Sequence, residues 1–477
     1  MKYNNIIGVI LSLGLFSGCT IVGPNYQPPV PPTYEAFSSD GSIKSSEGAD
    51  MTKWWMKLHD PSLDKLIKHA VRNNHDIHIA FTRILEARAN KGIAQSAELP
   101  SISVEASASA LRLSETGLES ANLPASAAKN FDPSQKLYEG GFDASWEIDL
   151  FGRVKHSIEA ADAEIDLSEA GFENAMVTLL SEVTRNYVEV RKIQAQIDIT
   201  RQNLDLQKKT LDLIIKRFKQ GLDTQLNITR SEALIADTEA RIPKLLAQQK
   251  TLRHRLATLL GESPKFLDPI LENKPEIPTF PENIVVAIPA DLLRNRPDIR
   301  SAERNLAAQI ARIGIAEADF YPRLRLNGSI GLSTVDLDGS SLDKSWTGSL
   351  GPSFSWAIFE GGAIRARVAA ADARAKAALA LYEKSVIRAY EEVENALVEH
   401  TEELRRREYL ERAVSASSEA YELSARLYSS GLVDYINVLD TQRELLKAKE
   451  LAIESNAIVT YSIINLHKAF GSGIASQ

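Results

Sequence analysis

The chain is 477 residues long, 44% hydrophobic and 25% charged, with a formal net charge of -8. No basic face dominates, which argues against nucleic acid as a partner. A single cysteine, Cys19, rules out intrachain disulfides, so stability must come from packing and assembly. There is no Gly-rich phosphate loop and no GxSxG stretch, so the sequence gives little support to an enzyme, and no cofactor is expected.

At the amino terminus Lys2 precedes an apolar run over residues 6–16, too short to span a bilayer, and then Ser17, Gly18 and Cys19. This reads as a cleaved signal over 1–18. Cys19 stands where a lipoprotein peptidase would cut and leave a diacylated thiol. Thr20, rather than an aspartate, then directs the product to the outer membrane by the usual bacterial sorting rule. One acyl group anchors weakly, so a second attachment is expected. Residues 19–50 carry Pro24, Pro28, Pro29, Pro31 and Pro32 and then serines, and read as an extended tether.

The rest of the chain is a tandem duplication. Trp146 and Trp356, Gly152 and Gly362, Val183 and Val393, Gly221 and Gly431, and Gly261 and Gly471 all lie 210 residues apart. Upstream, Asp76 and Asp298, Gly92 and Gly314, and Pro100 and Pro322 lie 222 apart. The first copy therefore carries twelve extra residues, placed around 114–129, as a surface loop between two strands. The copies occupy 51–264 and 296–477, with a linker over 265–295.

Each copy reads helix, strand, loop, strand, long helix, turn, helix. Strands are expected over 101–111, 142–150, 323–332 and 350–358, with Trp146, Phe142, Phe354 and Trp356 on an apolar face and Asp143, Glu147, Arg325 and Ser355 behind them. That alternation suits outer-membrane strands facing lipid on one side and water on the other. A soluble sheet packed on a core shows it too. Four strands cannot close a barrel, whereas three chains supply twelve. The span 152–220 contains no proline and one glycine, which predicts a single helix of roughly 100 Å at 1.5 Å per residue. Met176, Val183, Val190, Ile197, Leu204, Leu211 and Phe218 recur every seven residues, as in supercoiled packing. A shorter return helix ends near Gly261, with a kink expected at Pro243. A helix over 74–100 supplies the missing reach. His75 and His78 flank Asp76 on that helix, but the histidines have no counterparts beside Asp298, and no metal site is expected.

The phrases CTIVGPNYQPP, WWMKLHDPSLDKLI, SWEIDLFGR, IPADLLRNRPDIRSAERNLAAQIARIGIAEADFYPRL, SFSWAIFEGG and YSSGLVDYINVLDTQREL run in order along nearly the whole chain. In these the chain resembles the TolC-like outer-membrane factors, in particular the lipid-anchored OprM and NodT group. The resemblance implies an α+β membrane protein built on a tandem-duplicated fold. In a homotrimer its strands would form one 12-stranded β-barrel in the outer membrane, and its helices a coiled-coil tube across the periplasm. The implied function is a multidrug-type efflux duct for small molecules, a transport channel docked to a periplasmic adaptor and an inner-membrane pump, with a covalent lipid (diacyl or palmitate) on Cys19.

The resemblance also implies contact with the adaptor at the two helical turns, Gly221-Leu222-Asp223 and Gly431-Leu432-Val433-Asp434, and a periplasmic gate at Ile436, Asp440, Arg443 and Tyr428. Glycine at both turns is expected on local grounds too. Three copies of Asp440 would repel near the axis unless Arg443 neutralised them; the same two residues also read as an exposed helical pair. Val433, Asn437 and Asn227 depart from the TolC pattern of charged residues at the tip. The acidic strand face points to a cation-favouring lumen. The alternative to the channel is a lipid-anchored periplasmic coiled-coil spacer or adaptor without a pore, against which the duplicated hairpins and strand pairs argue.

Overall fold

The computed structural model describes residues 21–29, 52–112, 134–271, 276–281, 296–335 and 344–473. The signal, Cys19, most of the tether, the inserted stretch 114–129 and most of the linker lie outside them. The elements are α1 (Pro61–Asn73), α2 (His75–Ser96), β1 (Ser101–Arg112), β2 (Ser134–Ile148), α3 (Arg153–Lys219), α4 (Gln225–Leu259), α5 (Pro297–Ala318), β3 (Arg323–Thr334), β4 (Trp346–Ser355), α6 (Ala363–Ser429) and α7 (Tyr435–Ala469).

The duplication is visible residue by residue. The paired helices α2 and α5 are both 22 residues, α3 and α6 both 67, and α4 and α7 both 35. Strands β1 and β3 both run for 12. The second strands differ: β2 has 15 residues and begins eight before the expected start, while β4 has 10, beginning at Trp346 and ending at Ser355. The copy that carries the insertion thus has the longer second strand. Helix α4 runs through Pro243 without a break.

The chain divides into two compact units, each fed by both copies. Of the described residues, the first comprises 21–29, 85–112, 134–166, 303–335 and 344–380 and contains an antiparallel sheet in the order β1-β2-β3-β4. Its central pairing, β2 with β3, joins the two copies through Trp146 opposite Leu326 and Phe142 opposite Ile330. Segment 21–29 is fastened to the helices of this unit. The Val22 N–H donates to the Phe151 carbonyl at 3.2 Å, and the buried His156 ring bridges the Val22 carbonyl at 2.8 Å and the Glu159 carboxylate at 2.7 Å. A Cβ on Gly314 would overlap that ring at 2.4 Å, so glycine is required for the close approach.

Of the described residues, the second unit comprises 52–84, 167–271, 276–281, 296–302 and 381–473. Its main core gathers Trp54, Leu63, Leu66, Ile67, Leu180, Val183, Leu256 and Leu260 from α1, α3, α4 and the short 3-10 turn Trp54–Leu58. Asp60 caps α1 and also receives the Tyr187 hydroxyl at 2.5 Å, tying the start of α1 to α3. The seven-residue repeat holds only in part. Val183, Val190 and Ile197 are buried, but Leu204 and Leu211 are half-buried and Phe218 is exposed. From there on, Thr200, Gln207 and Ile214 form the buried stripe. These three, with Ile193, keep a seven-residue spacing of their own, three places on from the first, so burial passes from one apolar position of the heptad to the other.

Candidate functional site

Two features stand out: the sheet of the first unit and the hairpin tips of the second. In antiparallel strands, residues directly opposite share a face. One face of the sheet collects Ile102, Val104, Phe142, Trp146, Leu326, Ile330, Leu350 and Phe354, and much of it is bare; Leu350 is 81% exposed. The opposite face is built of hydroxyls, amides and charges. Ser145 donates to Asn327 Oδ1 at 3.0 Å, Asn327 Nδ2 donates to Ser353 Oγ at 2.7 Å, and Ser329 and Ser349 pair at 2.8 Å. At the strand ends next to the helices, Glu147 receives Arg153 Nε at 2.8 Å and lies 3.4 Å from Arg325.

Trp146 lies within β2 on the apolar face, as its alternation implies. Trp356 falls one residue beyond β4, so the strand register does not assign it a face; the strand ends sooner than the sequence pattern implied. The two indoles nonetheless do the same job. Trp146 Nε1 donates to the Glu98 carbonyl at 3.0 Å and Trp356 Nε1 to the Phe320 carbonyl at 2.9 Å, closing the turn after α2 and after α5. These matched clasps were not read from the sequence, although the 222 and 210 offsets already place both partners. Among the described residues, no helix is long and apolar enough to cross a membrane, and none of the His, Cys, Asp and Glu groupings could hold a metal. His78 instead bonds the Arg72 carbonyl at 3.1 Å.

At the tips, α3 and α6 end identically. Gly221 and Gly431 adopt φ of 73° and 74°, and the next N–H reaches back six residues' span, Leu222 to the Arg217 carbonyl and Leu432 to the Leu427 carbonyl, each at 2.9 Å. This is the glycine-terminated helix end that turns the chain sharply into the return arm. An apolar cluster of Ile214, Ile228, Leu234, Tyr428, Tyr435, Val438 and Leu439 packs both hairpins together just behind it.

The polar chemistry is concentrated on Asp223, whose side chain is 3% exposed. It accepts the Thr224 N–H at 2.8 Å, Asn227 Nδ2 at 2.7 Å and the Tyr428 hydroxyl from the other hairpin. Arg217 lies over the Tyr428 ring at 4.9 Å, donates to the Ser429 carbonyl at 3.1 Å and sits 3.9 Å from Asp223. Burial would raise the Asp223 pKa, but the hydrogen bonds from Tyr428, Asn227 and Thr224, with the Arg217 charge, outweigh it and hold the carboxyl below its usual value. Burial and the bond to Asp223 push the Tyr428 hydroxyl up.

Of the residues the resemblance carried over, Tyr428 and Asp223 thus meet directly. Leu222, Leu432, Ile436, Asp434, Asp440 and Arg443 are exposed within the protomer. Asp434 starts α7 without a side-chain cap bond. Among the described residues no ion pair joins Asp440 to Arg443, and Arg443 lines a polar cleft on α7. Arg217 was missed; only its place one turn before Gly221 marked it.

A membrane-type sheet with a bare apolar face, continued by duplicated long helical hairpins, is the architecture of an outer-membrane channel protein. The chain belongs to the outer membrane efflux protein family, whose model matches residues 66–262 and 288–472. It is 32% identical to nodulation protein T of Rhizobium leguminosarum bv. trifolii over 99% of this chain and 98% of that one. It is 30% identical to the outer membrane protein OprJ of Pseudomonas aeruginosa, over 97% and 95%. Among solved structures it matches the outer-membrane channel OprN with a TM-score of 0.85 at 32% identity, covering 95% of this chain and 99% of that one. The fold is that of the TolC-like factors.

Proposed function

We propose that this protein is a passive outer-membrane exit duct for small molecules. Three copies close one 12-stranded barrel, β4 of one copy pairing with β1 of the next, because within the chain each of these edge strands has a neighbour on one side only. The observation that carries the reading is the two-faced sheet. Its bare apolar face suits lipid, and its serine, asparagine and carboxylate face suits a wet lumen.

The exposed leucines at the two turns, Leu222 and Leu432, offer apolar contact to a periplasmic adaptor, which brings in an inner-membrane pump. Ile436, Asp440 and Arg443 form the constriction when three α7 helices converge, with the Tyr428–Asp223 bond holding each protomer's hairpins together in the closed state. A diacyl or palmitoyl lipid on Cys19 supplements the barrel as anchor in the outer membrane. Transport energy comes from the pump, since this chain needs only to open.

Negative-stain imaging of the detergent-purified protein tests the reading. Hollow three-fold particles with a detergent belt are expected; thin solid rods without a belt would return the protein to the spacer class. Cys19→Ser should lose lipid labelling yet fractionate with the outer membrane, and release into the periplasm would contradict the barrel.

A further inference from the structure

The second unit carries a pocket of about 540 Å3 whose residues belong neither to the sheet nor to the tips. Helix α1, with the 3-10 turn before it, forms one wall and α3 another, and the apolar lining is Trp55, Met56, Ile67, Val71, Phe172 and Met176. That volume falls within the range of small-molecule sites, about 300–1,000 Å3. Helix periodicity supplies the lining. Ile67 and Val71 stand one turn apart on α1, and Phe172 and Met176 one turn apart on α3, so each helix lends one apolar stripe.

The duplication shows that the fold does not require this gap. In the second copy the counterparts of Phe172 and Met176 are Tyr382 and Val386, both buried in a core with Ile299 and Ala302. In the first copy the same positions are only half-buried and border the pocket. Its rim is basic. Lys68 and Arg72 each follow an apolar lining residue along α1, and Lys53 joins them from just before the 3-10 turn. Among the described residues none of these three side chains has an ion-pair partner. Of the two carboxylates in the lining, Glu173 is engaged by Arg300, which leaves Asp64 alone to offset three cations. An apolar interior with a net positive rim is complementary to an alkyl chain ending in an anionic group, and two methionines let the walls adapt to a flexible chain.

We propose that this pocket binds an anionic single-chain amphiphile, with the alkyl chain between α1 and α3 and the carboxylate or phosphate at Lys53, Lys68 and Arg72. Fatty acids and lysophospholipids share this chemistry. The site is independent of the exit-duct reading, because it uses none of the residues that form the barrel or the constriction.

The test uses the full chain, transferred from detergent into an amphipathic polymer, in equilibrium dialysis with radiolabelled laurate, lysophosphatidylglycerol and, as the uncharged control, dodecanol. Saturable binding of laurate or lysophosphatidylglycerol is expected, and the tighter of the two identifies the source of the head group. Met176→Trp and Val71→Phe fill the pocket from opposite walls and should each weaken binding by roughly tenfold or more, with circular dichroism confirming the fold. Lys68→Ala combined with Arg72→Ala changes only the rim. It should weaken the anionic probes by roughly fivefold and leave dodecanol unchanged. No saturable binding, equal binding of laurate and dodecanol, or anionic probes indifferent to the filling and rim variants would each overturn the proposal. So would binding that appears only after deletion of residues 474–477, which follow Gly473 at the pocket wall, since that segment would then be the occupant.

Discussion

At the two hairpin tips the duplicated chain keeps one backbone and carries two sets of side chains. Gly221 and Gly431 have the same left-handed φ and the same pair of turn hydrogen bonds. Yet 210 residues on, Asp223 becomes Val433, Arg217 becomes Leu427, and Phe218 becomes Tyr428. The acceptor and its cation survive only in the first copy and the donor only in the second, so one bond joins the copies where neither could bond to itself. At the base of the sheet the clasps are kept, Trp146 and Trp356 bonding equivalent carbonyls, while the Glu147–Arg153 pair of the first copy becomes Ala357 and Ala363 in the second. Divergence falls where the copies must act on each other, and identity persists where each only has to hold its own turn.

The difference with the largest expected effect is His467, which stands where the first copy has Ala257. It is stacked on Trp54 with centroids 4.8 Å apart, and complete burial, helped by the Lys57 charge, pushes its pKa down to about 3. The unfolded chain takes up this proton below about pH 6.5 and the folded chain does not, so stability is full above that pH and falls as the solution is acidified towards about 3. The loss approaches about 1.4 kcal/mol per pH unit in that window. Denaturant midpoints measured from pH 7 to 4 should show this slope in the parent and a shallower one in His467→Phe; parallel slopes would remove His467 from the acid response.

Next in size is the tip bond. A hydrogen bond to a charged group contributes about 1.5–3 kcal/mol, so Tyr428→Phe should raise the open fraction by roughly tenfold or more in bilayer recordings. Asp223→Val, which writes the second copy's residue into the first, should open at least as much because it also strands Arg217. The reciprocal Val433→Asp should not restore the bond, since Phe218 has no hydroxyl to donate. Recovery of a closed channel in the doubly exchanged protein would mean that the tip is held by something other than this pair.

The duplication made much of this legible. Fixed offsets in the sequence placed the glycine turns, the strand pairs and the long helices, and the periods of two and seven gave their faces. Those signals are local, and they failed where tertiary context decides. Heptad counting put Leu204, Leu211 and Phe218 in the seam, whereas the packing there buries the other position of the same heptads, Thr200, Gln207 and Ile214. Strand alternation carried β4 past Ser355 because Trp356 keeps the parity after the ladder has ended. The Asp223–Tyr428 bond links residues 205 apart in different copies, and no spacing rule joins them; only the resemblance marked Tyr428.

A smaller effect, equal at both tips, is expected for the glycines. A Cβ would meet nothing within 4 Å at Gly221 and only Arg217 at 3.8 Å at Gly431, so alanine there is strained by backbone conformation alone, about 1–2 kcal/mol in each case. Unequal losses in melting experiments on Gly221→Ala and Gly431→Ala would show that the tips differ in backbone as well as in side chain.

The smallest effect is expected at Asp440, where the first copy carries Arg230. Both residues are exposed in the protomer, so a role for either must come from the assembled trimer. If three Asp440 carboxylates converge, Asp440→Ala should raise conductance by a factor of about two to three, less than Tyr428→Phe, because exposed charges act through a screened field. The screening supplies the discriminating measurement. The Debye length shortens from about 10 Å at 0.1 M salt to about 3 Å at 1 M, so the gain should be present at the lower concentration and fade at the higher. Arg230→Ala should change nothing at either. A gain that survives 1 M salt would show that Asp440 acts by steric fit, and equal responses at Asp440 and Arg230 would show that the two hairpins contribute alike to the constriction, removing the asymmetry that the tip bond implies.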